Sequence, residues 1–258
     1  MISSTDWTSH PNTLGMTRRR YIRRHDVTIS GGTFVGRARE RAALFALLEA
    51  AERGSGGLAV ITGEPGIGKT RLASEVTAVA AARGFRAGWG RAWESGGAPP
   101  FDPWTTALDA VGLPGPDVST VRALDEEAAR FQLYRATARA LAGAGRVVLV
   151  LDDVHFADHS TLRMLHFVSR ELAATHAVLV VTHRDRDPAM TADAESILGR
   201  VAREGLHIHL SRLTTEEVAA LVRDVGPTVD AVRVSAIGEA SGGNPLYASE
   251  IARLVEAD

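Results

Sequence analysis

Leu58 to Thr62, apolar on both faces, runs straight into Gly63-Glu64-Pro65-Gly66-Ile67-Gly68-Lys69-Thr70, and a helical pattern follows from Lys69 to about Arg83. Few folds accept that order. A strand apolar on both faces belongs inside a parallel sheet covered by helices, and a glycine-rich turn between strand and helix gathers backbone amides and the positive end of the helix around one point. The eight residues match GxxxxGK[ST], in which the lysine reaches phosphate oxygens and the hydroxyl reaches Mg²⁺. Lys69 is also the one lysine among 29 basic residues in a chain of 258. Arginine replaces lysine wherever only a solvated charge is needed, but a phosphate loop needs a compact ammonium rather than a planar fork.

The rest of the chain supplies the sheet. Apolar runs at Phe85 to Trp89, Val147 to Leu151, Val178 to Thr182 and Leu206 to Leu210 alternate with helical patterns, which predicts a three-layer α/β fold with a central parallel sheet of about five strands. Helical stripes at Leu124, Ala128, Phe131, Ala138 and Leu141, and at Leu162, Leu165, Val168 and Leu172, are expected to face the core. Between Ser95 and Pro116 a stretch dense in glycine and proline predicts a loop with one short helix near Pro103 to Ala110, overhanging the site or facing a partner.

Beyond Leu213 the strands stop, and three helical segments follow, near 215–225, 229–239 and 246–256. The expected organisation is a disordered basic tail over residues 1–30, a core over 31–212 and a small helical lid, or its first part, over 213–258.

Composition excludes several classes. No cysteine is present, so disulfides and thiolate metal sites are ruled out. A formal net charge of −2 leaves polyanion binding to a local patch, and the only candidate is Arg18, Arg19, Arg20, Arg23 and Arg24 in the tail. No apolar run reaches membrane-spanning length and the first residues lack a signal pattern, which places the protein in the cytoplasm as an expectation.

A second motif closes the third strand: Val147-Val148-Leu149-Val150-Leu151 ends in Asp152-Asp153. Asp152 suits a Mg²⁺ shell shared with Thr70. Asp153, one step further, is placed to orient and deprotonate an attacking water.

Gathered in order, these segments resemble the signal-transduction class of P-loop ATPases with an AAA-like core, the STAND group, and especially the ATPase module of LuxR-family large ATP-binding regulators. Phe34-Val35-Gly36-Arg37 resembles that module's opening motif, which lies against adenine; Gly63 to Thr70 and Leu149 to Asp158 resemble its Walker A and extended Walker B. Thr182-His183-Arg184 resembles its sensor arginine, and Gly242-Gly243-Asn244-Pro245-Leu246 its lid motif, whose proline packs by the base.

The resemblance implies that Val35, Gly36, Arg37, the loop Gly63 to Thr70 (Gly63, Glu64, Pro65, Gly66, Ile67, Gly68, Lys69, Thr70), Arg71 and Pro245 bind ATP or ADP, that Thr70 and Asp152 hold Mg²⁺, and that Lys69, Asp153 and Arg184 carry slow hydrolysis. It implies an adenine-nucleotide switch that reports to a protein partner or effector region, with a homo-oligomer left open. Members of the family run on to a C-terminal DNA-binding helix pair with no counterpart here, so direct DNA binding is not carried over. Phe156 stands where the family often has tryptophan, an aromatic filler.

Two other readings compete: a nucleotide-holding scaffold without turnover, and a nucleic-acid-associated ATPase that uses the arginine tail. Neither histidine pair argues for a metal. His155 and His159 are four apart but no glutamate follows His155, and His207 and His209 alternate along one strand as edge residues. Trp89, Trp93 and Trp104 are expected to be packing groups.

Overall fold

The computed structural model describes residues 34–94, 97–117, 126–188 and 190–257. The expected tail, 1–30, lies outside them. So does Leu124 of the first helical stripe.

Five strands form one sheet: β1 (Gly57–Thr62), β2 (Arg86–Arg91), β3 (Val147–Asp152), β4 (Ala177–His183) and β5 (Leu206–His209). Their spatial order is β2-β3-β4-β1-β5 and every neighbouring pair is parallel. The strand that carries the phosphate loop is thus interior, and β4, which follows both motif strands in sequence, is inserted between them. β1 and β3 are buried on both faces because each face meets helices.

Alternate residues of the strands enter two cores. Ala59, Ile61, Val148, Val150, Val178 and Val180 pack with Leu44 and Leu48 of α1 (Ala38–Glu52) and with Leu72 and Val76 of α2 (Lys69–Ala82). Leu58, Val60, Leu149, Leu151, Leu179 and Val181 pack on the other face. Their partners there are Trp104 of α3 (Asp102–Ala110), Leu133 of α4 (Glu126–Ala142), Leu165 of α5 (His159–Ser169) and Leu198 of α6 (Ala192–Val201). The winding therefore reverses at β1, with α2 on one face and α4 to α6 on the other, and such a reversal opens a crevice beyond the carboxyl ends of the strands. Each fully buried Leu or Val side chain contributes about 1.5–3 kcal/mol of hydrophobic stabilisation.

The short helix expected in the glycine- and proline-rich stretch is α3. It lies flat on β2, so close that a Cβ at Gly88 would stand 2.1 Å from the Ala107 carbonyl and one at Gly90 1.8 Å from that of Pro103. Trp104 is buried there and its indole N–H donates to the Thr161 carbonyl at 3.3 Å.

One expectation needs correction: the stripe expected on α4 is rotated. Ala129, Leu133, Thr137 and Leu141, spaced four apart, face the core together with Tyr134, whereas Phe131 is 47% exposed. A polar Thr137 satisfied by the Leu133 carbonyl at 3.1 Å hides this ridge from an apolar-periodicity reading. Of the three tryptophans expected as packing groups, Trp104 is buried and Trp93 is 54% exposed.

After β5 the chain builds a unit of three helices, α7 (Thr215–Val225), α8 (Ala231–Ser241) and α9 (Pro245–Ala257). Its own small core contains Val218, Val222, Val234, Ile237, Ala248 and Ala252. Thr214 and Glu217 form a capping box at the start of α7, which satisfies two orphan amides. Among the described residues no helix is long and apolar enough to cross a membrane.

Candidate functional site

The phosphate-loop motif lies where β1 gives way to α2. Gly63, Gly66 and Gly68 take φ of 146°, 76° and 103°, values that L side chains rarely adopt. Gly68 is the N-cap of α2, no side chain caps that helix and its first turn carries no acid. Its first amides therefore have no acceptor within the helix. The space beside Gly68 is open, since a Cβ built there meets no heavy atom within 4 Å. A bare helix N-terminus above open space fits an anion.

Lys69 is buried, and its Nζ donates to the carbonyls of Gly63 at 2.9 Å and Glu64 at 3.0 Å. Burial lowers its pKa, while the charges of Asp153, Asp185 and Asp152 act the other way and Arg184 adds to the lowering. Thr70 follows, and its hydroxyl donates to Asp152 at 3.1 Å. Arg71 lies half-buried in the same turn.

Asp152 ends β3 fully buried. Burial pushes its carboxyl pKa up, and the hydroxyl of Thr182, 2.5 Å from Oδ1, is the largest opposing influence. Thr182 is the penultimate residue of β4, the strand inserted between the two motifs, and the same hydroxyl accepts from the Asp153 amide at 2.9 Å. One side chain thus links both acids across the sheet. Thr70 and Asp152 present adjacent oxygens, the hard donors that Mg²⁺ prefers.

Asp153 adopts a left-handed conformation, φ 55°, ψ 39°, as the chain leaves the strand for a single 3₁₀ turn, Val154–Phe156. Aspartate tolerates this region better than most residues. Its carboxylate is held by Arg91 of β2, Nη2 to Oδ2 at 2.6 Å.

Arg184 donates to Asp187 at 2.8 Å and lies over the Phe156 ring, 5.1 Å from its centroid. The other neighbour of Phe156 is His155, ring centroids 3.9 Å apart. The His155 side chain is fully enclosed, 3.8 Å from Asp187, and neither ring nitrogen has a hydrogen-bond partner among the described residues. Burial lowers its pKa to about 4.

The structure brings Lys69, Thr70, Asp152 and Asp153 to one rim and sets Arg184 close enough to act on Lys69. It treats Val35 to Arg37 and Pro245 differently. Arg37 is buried and donates to the carbonyls of Ser211 and Ile67, so its guanidinium joins the loop to the segment after β5. Gly36 faces Glu217 of the capping box. Pro245 opens α9, half-buried, where its fixed φ suits a first helical turn.

Three participants, Arg91, Asp187 and Arg212, escape the sequence reading, and Thr182 is named there only within the sensor segment, without its link to the two acids. Thr182 was legible as a lone polar residue near the end of an apolar strand. Arg91, Asp187 and Arg212 carry no such mark, because paired arginines and acids look like any solvated charge. His159 and His155 turn to different partners, Asp193 at 2.6 Å and Asp187. His207 and His209 both contact the Thr62 hydroxyl, at 3.1 and 3.4 Å, on the edge strand.

An interior parallel strand, a glycine cradle at a helix start and an acid on the next strand but one together define a P-loop nucleotide-hydrolase fold. The chain belongs to the AAA ATPase domain family, whose model matches residues 33–181. No curated protein sequence matches the chain.

Among solved structures it is similar to a STAND protein with a tetratricopeptide repeat sensor from Pyrococcus horikoshii, at 18% identity and a TM-score of 0.50, over 82% of this chain and 28% of that one. It is similar to the Aeropyrum pernix ORC2 protein in its ADPNP–ADP complexes, at 17% identity and a TM-score of 0.54, over 87% and 68%. A third is the replication initiator DnaA bound to AMPPCP and single-stranded DNA, 16% identical with a TM-score of 0.51, over 87% and 63%. At these identities the likeness concerns the fold. The chain spans under a third of the STAND protein.

Proposed function

We propose that this chain is the nucleotide-binding and switching module of a signalling ATPase, derived from or part of a STAND-type transcriptional regulator. The observation that carries the reading is the bonded set Thr70–Asp152–Thr182 beside Lys69, a phosphate cradle and a hard-oxygen pair built as one unit.

In this reading Gly66, Gly68, Lys69 and Thr70 present amides to the β-phosphate, with the rest of Gly63 to Thr70 and Arg71 framing them. Val35 to Arg37 and Pro245 flank the adenine. Thr70 and Asp152 would hold a Mg²⁺, which would supply charge neutralisation at the phosphates. The Lys69 ammonium leaves its two carbonyls for phosphate oxygens, a stronger partner for a buried cation.

The Asp153 carboxylate takes the proton of the attacking water, and Arg91 has to let go of it first. Arg184, supported by Phe156 and Asp187, stands to sense the terminal phosphate. The three helices act as a lid that reports nucleotide state to a protein partner or effector region, in the cytoplasm.

Titration of ATP and ADP against the wild type and Lys69→Ala tests the reading. Loss of a charge-assisted phosphate contact costs about 1.5–3 kcal/mol, so affinity is expected to fall about 10- to 150-fold. Equal affinity in the two proteins sinks it. A second reading, a scaffold that holds nucleotide without turnover, is favoured by one observation: Asp153 and Arg184 are both engaged by neighbours, Arg91 and Asp187.

A further inference from the structure

The outer arch of the phosphate loop, Glu64 to Ile67, is held from outside at every residue. The Glu64 carboxylate accepts from Arg212 twice, Nε to Oε1 at 2.7 Å and Nη2 to Oε2 at 3.0 Å. The Pro65 carbonyl accepts from Asn244 Nδ2 at 3.0 Å. Gly66 lies against the same segment: a Cβ there would stand 2.9 Å from Leu246 Cβ and 3.0 Å from Asn244 Oδ1. The Ile67 carbonyl accepts from Arg37, which also bonds Ser211. Three of the four grips thus come from the chain that follows β5, and the fourth is tied to it.

Asn244 is built for this position. It is buried, and its amide is used at both ends, since Oδ1 accepts from the Leu246 N–H at 3.0 Å while Nδ2 donates to Pro65. The preceding turn delivers it: Gly243 has φ +82° and a Cβ there would stand 2.6 Å from the Leu213 carbonyl, leaving no room for a side chain. Arg212 adds a contact to the Gly242 carbonyl at 3.3 Å, closing the turn onto the loop. The opposite side of the loop, at Gly68, faces open space.

We propose that Asn244, supported by Arg212, is a positioning residue of the phosphate loop. It holds the Pro65 carbonyl so that the arch keeps its cradle shape before any phosphate arrives, and the arch slackens when the three-helix unit turns away. Phosphate affinity and the placement of the helical unit are then coupled through protein contacts alone, and by linkage each biases the other equally. The inference rests on the nucleotide reading above and adds a mechanical route to it.

Asn244→Asp tests it, because the carboxylate still accepts from Leu246 but turns an acceptor toward the Pro65 carbonyl. Mg·ADP affinity is expected to fall about tenfold, pyrophosphate to lose the same factor as a competitor, and the amides of Glu64, Gly66, Ile67 and Gly68 to exchange hydrogen faster in the nucleotide-free protein. Arg212→Ala, an exposed pair, should weaken ADP about twofold and quicken the same amides. It serves as the reporter if Asn244→Asp does not fold, and wild-type exchange in it then overturns the proposal.

Asn244→Asp with wild-type ADP affinity and wild-type exchange overturns it. So does a loss seen with ADP but not with pyrophosphate, which would place Asn244 at the base rather than on the loop. A wild type that binds neither ligand overturns the nucleotide reading itself.

Discussion

On one side of the site Lys69 bonds the loop's own carbonyls and Asp152 is held by the hydroxyls of Thr70 and Thr182, whereas on the other Asp153 and Arg184 are each engaged by a close counter-charge, Arg91 and Asp187. The first set is held by carbonyls and hydroxyls, with one long ion pair, Arg91 to Asp152 at 3.9 Å. The second is held by short ion pairs, one of the two Asp153 oxygens lying 2.6 Å from the Arg91 guanidinium. Preorganised groups act at no cost at the moment of reaction, and paired ones add the cost of release. In the proposed reading, binding is therefore built into the resting fold, while turnover depends on an event at the β2–β3 rim.

The sharpest way to break that division is Asp153→Asn. A general base contributes about 10²- to 10⁴-fold to rate, so the hydrolysis rate is expected to drop by about 100-fold or more while ADP affinity stays within about twofold of wild type. Both are read from steady-state phosphate release and direct titration. An equal loss in affinity would show that the two halves are one. Identical, barely detectable hydrolysis in both proteins would favour the scaffold.

The division also follows what the sequence makes legible. The phosphate half is written in a contiguous motif whose chemistry demands glycine, lysine and a hydroxyl at set spacings, and Asp152 is marked by the apolar strand before it. The three interior strands β1, β3 and β4 are legible as runs apolar on both faces, such as Val147 to Leu151, whereas β2 and β5 at the sheet edges carry arginine or histidine and are marked only by shorter apolar stretches. The water half depends on residues brought together only by strand order. Arg91 reaches Asp153 because β2 lies beside β3, and Thr182 reaches both acids because β4 is inserted between the motif strands, an order that no local pattern states. Phe156, read as a filler, supports Arg184 and covers His155, a role visible only when the turn after β3 packs on the loop after β4. The rotated stripe of α4 fails for a different reason, a satisfied threonine within a buried ridge.

His155 offers a stability measurement on the water half alone. Its pKa in the fold, about 4, lies below the ordinary 6.5 because burial disfavours the imidazolium. As pH falls from 6.5 toward 4 the unfolded chain takes up the proton first, so this contribution is fully present above pH 6.5 and is lost across that window. At pH 5 the loss amounts to about 2 kcal/mol, at about 1.36 kcal/mol per unit. The unfolding free energy of the wild type, from urea titration, should therefore fall between pH 7 and pH 5 by that much more than that of His155→Gln. Asp152, whose carboxyl is pushed up by burial, contributes with the opposite sign in both proteins and cancels in the difference. Parallel pH profiles would mean that His155 is solvated and that the packing of Phe156 against it does not hold the loop.

The smallest effect expected is the most informative about control. Arg91 is 59% exposed and Asp153 14%, so their ion pair is worth no more than a surface pair, about 0.2–1 kcal/mol, despite its short distance. If the pair only restrains the base, Arg91→Ala should speed hydrolysis by about two- to fivefold and leave ADP affinity unchanged, and added salt should speed the wild type while leaving the variant as it is. If Arg91 instead neutralises charge as the phosphate leaves, the same substitution should slow hydrolysis, and salt should slow the wild type too. The sign of the change is thus decisive where its size is modest. Acceleration keeps the contrast between a finished binding half and a restrained hydrolytic half, and deceleration would move Arg91 into the catalytic set and make the rim of β2 and β3 a working part of the site.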